Sequence, residues 1–165
     1  MIVVVAGVAG SGKTTVGKLV AGRLKCVFAD GDEFHPAANV AKMHAGIPLT
    51  DDDRWPWLRA IARWTDERAA AGESAVVACS VLRRAYRDVL LTARARPRMM
   101  FLVIPYDTAA ARLDARHGHF FGRELLDSQF ATLELPEPEE AVDLVPATRT
   151  PDEVADNIVA LLGPK

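Results

Sequence analysis

The sequence predicts an α/β fold in which helices cover both faces of a parallel sheet. Short β-branched runs alternate with longer segments of helical periodicity along the chain, and this alternation is typical of such folds. The 165 residues are 50% hydrophobic and 25% charged, as in folded globular proteins. We therefore expect one domain over residues 1–165, with right-handed crossovers between parallel strands.

Five short apolar runs predict the strands of the sheet. The first, Ile2–Ala6, is rich in β-branched residues and runs directly into Gly7. Its continuous apolar character indicates a strand that is buried on both faces. The other four predicted strands are residues 27–29, 75–80, 99–105 and 143–145.

Segments with apolar residues three and four positions apart predict helices between these strands. Pro56 fits the first turn of one helix and Gly72 fits its end, because proline favours helix starts and glycine favours helix ends. Thr150 is a candidate N-cap ahead of Pro151. The predicted helices are residues 11–24, 37–45, 56–71, 84–94, 108–116, 125–133 and 152–162.

Composition and charge exclude several classes of protein. A net charge of −2 gives no broad field that would attract nucleic acid or anionic membrane. No apolar run approaches the roughly 20 residues of a membrane helix, and residues 1–6 lack the basic start of a signal peptide. The two cysteines, Cys26 and Cys79, do not form a disulfide framework. We expect a cytoplasmic protein without nucleic-acid or membrane partners.

A glycine-rich loop joins the first predicted strand to the first predicted helix. The loop reads Gly7-Val8-Ala9-Gly10-Ser11-Gly12-Lys13-Thr14. It matches G-x-x-x-x-G-K-[ST], whose backbone amides and helix N-terminus bind nucleotide phosphates. Lys13 can reach the outer phosphates, and the Thr14 hydroxyl can hold Mg²⁺. We expect this loop, together with Thr15, to bind ATP or GTP.

Other sequence features narrow the class of nucleotide-binding protein. No N-K-x-D segment for guanine recognition is present, and the third predicted strand ends in Cys79-Ser80 rather than in an acidic pair. Both observations argue against a GTPase switch or a motor-type ATPase. Arg112, Arg116 and Arg123 suit a phosphotransferase, because negative charge spreads over the transferred phosphoryl group. A non-catalytic ATP-binding module is the alternative.

Two carboxylates, Asp30 and Asp32, follow the second predicted strand. Ligands bind at the carboxyl ends of parallel strands, and residues two apart share a face. One carboxylate can hold a Mg²⁺-bound water while the other aligns or deprotonates an acceptor hydroxyl. The sequence therefore predicts a phosphoryl-acceptor site beside the phosphate loop.

A second charged segment, Asp51-Asp52-Asp53-Arg54, follows a stretch rich in turn-forming residues. The three acids predict a solvated turn and helix cap, whereas Arg54 suits a bidentate grip on a carboxylate. His35, Lys42 and His44 add further donors to this region. The nearby tryptophans are predicted to pack rather than to stack on a ligand: Trp55, Trp57 and Trp64.

These blocks together resemble the gluconokinase family. The most specific are Asp30-Gly31-Asp32 with His35-Pro36, Pro48-Leu49-Thr50-Asp51-Asp52-Asp53-Arg54, and Gly118-His119-Phe120-Phe121, which occur in that order. The resemblance extends over about residues 2–162. It implies a three-layer P-loop kinase fold like that of nucleoside monophosphate kinases, with a five-stranded parallel sheet and a mobile lid at about residues 108–136.

The resemblance also implies a reaction, in which ATP and D-gluconate give ADP and 6-phospho-D-gluconate with Mg²⁺, in a cytosolic homodimer. Lys13, Asp30, Asp32 and Arg116 would be catalytic, and Arg112 and Arg116 would face the phosphates. Thr14 and Asp30 would hold Mg²⁺, directly or through water. The implied substrate-binding residues are Asp32, His35, Lys42, Arg54, Ser80, Arg83, His119 and Gln129.

Some assignments stay open at this stage. Lys42, Arg54 and Arg83 all remain candidates to hold the sugar-acid carboxylate. Our hypothesis places Asp32 at the acceptor hydroxyl and Asp30 at the metal, and the reverse assignment is the alternative. Shikimate and a nucleoside monophosphate are the alternative acceptors, although the acidic acceptor segment would repel a phosphate-bearing one.

Overall fold

In the computed structural model, which describes residues 1–117 and 123–164, five parallel strands form one sheet. They are β1 (Ile2–Ala6), β2 (Val27–Asp30), β3 (Ala75–Ala78), β4 (Arg98–Val103) and β5 (Val142–Pro146). Their order across the sheet is β2-β3-β1-β4-β5. All five predicted strands are confirmed, and β1 is buried along its whole length.

Helices precede or follow every strand in the described ranges. They are α1 (Lys13–Leu24), α2 (Ala37–His44), α3 (Asp51–Ala70), α4 (Arg84–Leu91), α5 (Tyr106–His117), α6 (Arg123–Thr132) and α7 (Pro151–Leu162). Helix α1 packs on α7, and α3 packs on α4. Right-handed crossovers put the first pair on one face of the sheet and the second pair on the other. No described helix has the length and apolar character that a bilayer span requires.

Helix α3 begins five residues earlier than predicted, so Pro56 lies inside it. The Thr50 hydroxyl accepts a hydrogen bond from the Asp53 amide (3.2 Å), and the Asp53 carboxylate accepts one from the Thr50 amide (2.9 Å). This capping box, with three acids in the first turn near the positive end of the helix dipole, outweighs the proline signal. Thr150 caps α7 in the same way, as predicted.

A short 3₁₀ helix, Gly31–Phe34, follows β2 and was not predicted. The Asp30 carboxylate caps it by accepting a hydrogen bond from the Asp32 amide (3.0 Å). Gly31 lies so close to β3 that a Cβ there would be 2.5 Å from the Ala78 carbonyl oxygen. Only glycine fits this position, and the close approach determines where Asp30 and Asp32 lie.

We predict that Gly31→Ala lowers the free energy of unfolding by about 1–3 kcal/mol, the usual cost of overpacking a tight site. Gly22→Ala is the matched control, because a Cβ at Gly22 would meet nothing within 4 Å inside α1. This control should be about 0.5–1 kcal/mol more stable than the parent. Denaturant unfolding of both variants measures the difference, and equal stabilities would contradict the close approach.

Candidate active site

The predicted functional residues converge at the carboxyl edge of the sheet. The phosphate loop follows β1, the 3₁₀ helix with Asp32 follows β2, and Ser80 lies just beyond β3. Because β3 lies between β1 and β2, one strand separates the loop from the two carboxylates. This edge is where open parallel sheets bind their ligands.

The phosphate loop ends at Gly12, which is the N-cap of α1 and has a left-handed backbone (φ 94°). Within residues 1–117 and 123–164, no side chain caps this helix N-terminus. The first amides of α1 therefore remain available as donors to an anion, as the motif predicts.

Lys13 lies between the phosphate loop and the acidic pair. Its ammonium donates a hydrogen bond across the loop to the Val8 carbonyl (3.1 Å). Burial lowers the pKa of Lys13, while the carboxylates of Asp32 and Asp30 act to raise it. Burial, with Asp32 nearby, raises the pKa of the Cys79 thiol to about 12, so this thiol is neutral at physiological pH. The fold thus brings together the predicted catalytic residues Lys13, Asp30 and Asp32.

A cavity of about 220 Å³, here called the loop cavity, lies against the phosphate loop. Arg116 and Leu113 of α5 and Leu125 of α6 line its other side. The predicted phosphate-facing Arg116 is therefore at this cavity. The loop residues that line it are Ala9, Gly10, Gly12, Lys13, Thr14 and Thr15.

Arg112 forms hydrogen bonds with backbone carbonyls of the phosphate loop. Its guanidinium donates to the Ala147 carbonyl (2.7 Å) and, at 3.4 Å, to the carbonyls of Gly10 and Ser11. It is not among the described residues that line the loop cavity. In this conformation Arg112 supports the loop backbone.

A second cavity, of about 190 Å³, is here called the Asp32 cavity. Leu125 lines both cavities, so the two adjoin. Five predicted substrate-binding residues line the Asp32 cavity: Asp32, His35, Arg54, Ser80 and Gln129. Seven further residues lining it were not predicted: Leu49, Trp57, Val81, Leu82, Tyr86, Ser128 and Thr132.

His35 is held from two sides. Its ring stacks on Trp57, with centroids 4.3 Å apart. Its Nδ1 accepts a hydrogen bond from the side-chain amide of Asn39 (3.2 Å). That acceptor role leaves the proton on Nε2 as a donor. Burial lowers the pKa of His35, Asp32 raises it and Arg54 lowers it. Trp57 was expected only to pack, yet it forms a wall of the Asp32 cavity.

Arg54 is oriented by Tyr86, which lies on α4. The guanidinium donates to the Tyr86 hydroxyl (3.2 Å) and lies over its ring, 5.5 Å from the centroid. The same hydroxyl donates a short hydrogen bond to the Asp51 carboxylate. Arg83 pairs with Asp51 (3.7 Å) and does not line the Asp32 cavity among the described residues.

Lys42 belongs to the junction between α2 and α3. Its ammonium forms an ion pair with the Asp53 carboxylate (2.7 Å), and it is not among the described residues of either cavity. The hydrogen bonds from Lys42 and Thr50 lower the pKa of Asp53 to about 2. His119, also predicted to bind substrate, lies outside the described residues.

Gln129 links α6 to the phosphate loop. Its side-chain oxygen accepts a hydrogen bond from the Ala9 amide (2.6 Å), and its side chain also lines the Asp32 cavity. A single residue therefore contacts the loop and borders the adjoining cavity.

The strand order, the phosphate loop and the acidic pair define a P-loop kinase. Residues 9–162 match the family model described as Shikimate kinase. The chain belongs to the gluconokinase family: the gluconokinase of Gluconobacter oxydans (strain 621H) is 44% identical over 156 residues, which are 94% of this chain and 88% of that relative.

Two solved structures agree in fold with this chain. A gluconokinase from Sinorhizobium meliloti 1021 has a TM-score of 0.84 at 42% identity, covering 96% of this chain and 89% of the other. An unliganded sugar kinase from Janibacter sp. HTCC2649 has a TM-score of 0.88 at 44% identity, covering 98% and 93%. Both similarities extend over nearly the whole chain.

We predict that the pKa of His35 responds in opposite directions to two neighbouring substitutions. Arg54→Gln should raise it, because a cation is lost, and Asp32→Asn should lower it, because an anion is lost. Because folding lowers the pKa of His35, stability should fall as the pH drops below about 6.5, where the unfolded imidazole takes up a proton more readily than the folded one. NMR titration of the imidazole measures each shift.

Lys42→Gln is the control for this titration, because its ammonium faces Asp53 rather than His35. Movement of both midpoints in the same direction would contradict the arrangement of Asp32, His35 and Arg54.

Proposed function

We propose that this protein is a gluconokinase, which transfers the γ-phosphate of ATP to the 6-hydroxyl of D-gluconate and releases 6-phospho-D-gluconate and ADP. The observation that carries this proposal is that Asp32 and Arg54 both line one small cavity that adjoins the loop cavity. A sugar acid has a carboxylate at one end and a primary hydroxyl at the other. The names of the full-length relatives support gluconate as the acceptor.

In this proposal the phosphate loop binds the nucleotide through the amides at the start of α1. Lys13 and Arg116 offset the negative charge that develops on the transferred phosphoryl group. Asp32 aligns the acceptor hydroxyl and takes its proton. Asp32 lies near enough to Lys13 to raise the pKa of that ammonium, and this closeness to the phosphate loop supports the role.

Thr14 and Asp30 are the residues we propose to hold Mg²⁺, directly or through water. A hydroxyl and a carboxylate are suitable donors, and Mg²⁺ takes few protein ligands when phosphates and waters complete its shell. When bound, Mg²⁺ neutralises phosphate charge.

Arg54 is the residue we propose to hold the carboxylate of gluconate. It lines the Asp32 cavity, whereas Lys42 and Arg83 are not among the described residues that do so. Lys42 is paired with Asp53, and Asp51 lies within 4 Å of both Arg83 (3.7 Å) and Arg54 (3.8 Å). A planar guanidinium already oriented by Tyr86 loses little conformational entropy on binding a carboxylate in bidentate fashion.

Residues 108–136 are proposed to act as a lid over the two substrates. The support is that Leu125 of α6 lines both cavities and Arg116 of α5 lines one. Covering the site would exclude water, which competes as an acceptor.

We also propose a cytoplasmic homodimer, for which the exposed apolar side chains of Leu144 on β5 and Leu161 on α7 offer a surface.

The experiment that tests the function measures ADP release from Mg-ATP with D-gluconate, other sugar acids, shikimate, AMP or no acceptor. We expect rapid ADP release in the arm that contains D-gluconate and in no other arm. Shikimate is included because the matching family model carries that name and shikimate is also a hydroxy acid. Preference for shikimate would overturn the substrate, and equal release in every arm would indicate an ATPase or a switch.

We predict that Arg54→Gln raises the KM for D-gluconate roughly 10- to 100-fold, the equivalent of one or two lost charge-assisted hydrogen bonds. The KM for ATP should stay near the parent value, because Arg54 is not among the described residues of the loop cavity. Steady-state kinetics with each substrate varied in turn measures both constants.

Lys42→Gln is the matched control for Arg54→Gln. It removes a cation from the same region but leaves the Asp32 cavity unchanged, so its KM for D-gluconate should stay near that of the parent. A large rise in this KM for Lys42→Gln with none for Arg54→Gln would assign the carboxylate grip to Lys42.

A further inference from the structure

Helix α4 carries an arginine, Arg87, whose side chain is fully buried. Its exposed fraction is 0%, and that of its partner Glu140 is 2%. The guanidinium binds both carboxylate oxygens of Glu140, Nε to Oε1 at 2.8 Å and Nη2 to Oε2 at 3.1 Å. This bidentate pair joins α4 to the segment that precedes β5.

The same guanidinium also binds the backbone of the β3–α4 loop. Its Nη1 donates to the carbonyls of Val81 (3.3 Å) and Leu82 (3.1 Å). Both residues line the Asp32 cavity. Arg87 therefore contacts the outer side of a cavity wall without lining the cavity.

The wall needs such support, because Val81 has a left-handed backbone (φ 30°). A β-branched residue reaches this region only at a cost in conformational energy. Such a conformation persists where surrounding bonds over-determine it, and the two carbonyl bonds from Arg87 are bonds of this kind.

The ion pair also fixes the segment that follows α6. The Leu82 carbonyl accepts a second hydrogen bond, from the Glu134 amide (2.9 Å). The Glu140 carboxylate accepts one from the Glu137 amide (2.8 Å). Arg87 thus connects the β3–α4 loop, which lines the Asp32 cavity, to the segment between α6 and β5, and the same segment binds Leu82 through the Glu134 amide.

Stability alone does not account for a buried ion pair, since well-packed apolar residues are often as stable in its place. The pair instead fixes the orientation of the guanidinium, which donates to four acceptors in one plane. We propose that Arg87 is a positioning residue that sets the affinity for the phosphoryl acceptor by holding the wall formed by Val81 and Leu82. This proposal rests on the proposed function of the Asp32 cavity as the acceptor site.

The test compares Arg87→Lys with Arg84→Lys on the same helix. A lysine at 87 keeps the charge opposite Glu140 but cannot bind both carboxylate oxygens and both carbonyls. We expect the KM for D-gluconate to rise roughly tenfold while the KM for ATP changes less than about twofold. Arg84 forms an exposed pair with Glu139 (2.7 Å), and Arg84→Lys should leave both constants unchanged.

Glu140→Gln separates positioning from stability. It leaves the buried guanidinium without a counter-charge, so it should lower the Tm more than Arg87→Lys does. In Glu140→Gln the hydrogen bonds from Arg87 to the carbonyls of Val81 and Leu82 remain. This variant should therefore raise the KM for D-gluconate less than Arg87→Lys does. An acceptor KM that follows the loss in Tm across both variants, or one unchanged in Arg87→Lys, would overturn the proposal.

A second readout does not depend on the acceptor. Arg87→Lys should shift the NMR amide resonances of residues 80–82, whereas Arg84→Lys should not, and absence of that shift would overturn the proposal. If the parent protein transfers phosphate to a different acceptor, the proposed function fails. The comparison of variants is then made with that acceptor, and the amide shifts still decide the role of Arg87.

Discussion

The parallel sheet is the constraint on which the site depends. Parallel strands point their carboxyl ends to the same edge, so the segments after β1, β2 and β3 must meet there. The full burial of β1 holds the phosphate loop against the centre of the sheet, and the tight packing of Gly31 on β3 holds the acidic pair beside it. The resulting closeness of Lys13 and Asp32 follows from strand order.

Side chains at the Asp32 cavity are held in place by two neighbours: Asn39, which is not among the described residues lining it, and Tyr86, which is. Asn39 is buried and holds the His35 ring through Nδ1, and Tyr86 orients Arg54 while donating to Asp51. Such support keeps charged and polar groups in one orientation before a ligand arrives, which reduces the entropy lost on binding.

Local sequence signals predicted the elements well and predicted the walls of the site poorly. The strands and the phosphate loop follow from runs and motifs of fewer than ten residues, and these were confirmed. The predicted start of α3 at Pro56 was wrong, because the capping box of Thr50 and Asp53 starts the helix at Asp51. Trp57 was missed as a residue lining the Asp32 cavity, and Arg87 was missed as a contact of Val81 and Leu82, since both depend on contacts that no local pattern contains.

Helix α6 illustrates why such long-range contacts matter for phosphoryl transfer. Gln129 binds the phosphate loop through the Ala9 amide, and the amide of Glu134, just beyond the helix, binds the Leu82 carbonyl after β3. The helix is thereby fastened to the ends of two strands and borders both cavities. These two long-range hydrogen bonds set the position of α6 relative to the phosphate loop and to Leu82, which lines the Asp32 cavity, so the shape of the space between the two cavities depends on contacts that no local pattern contains.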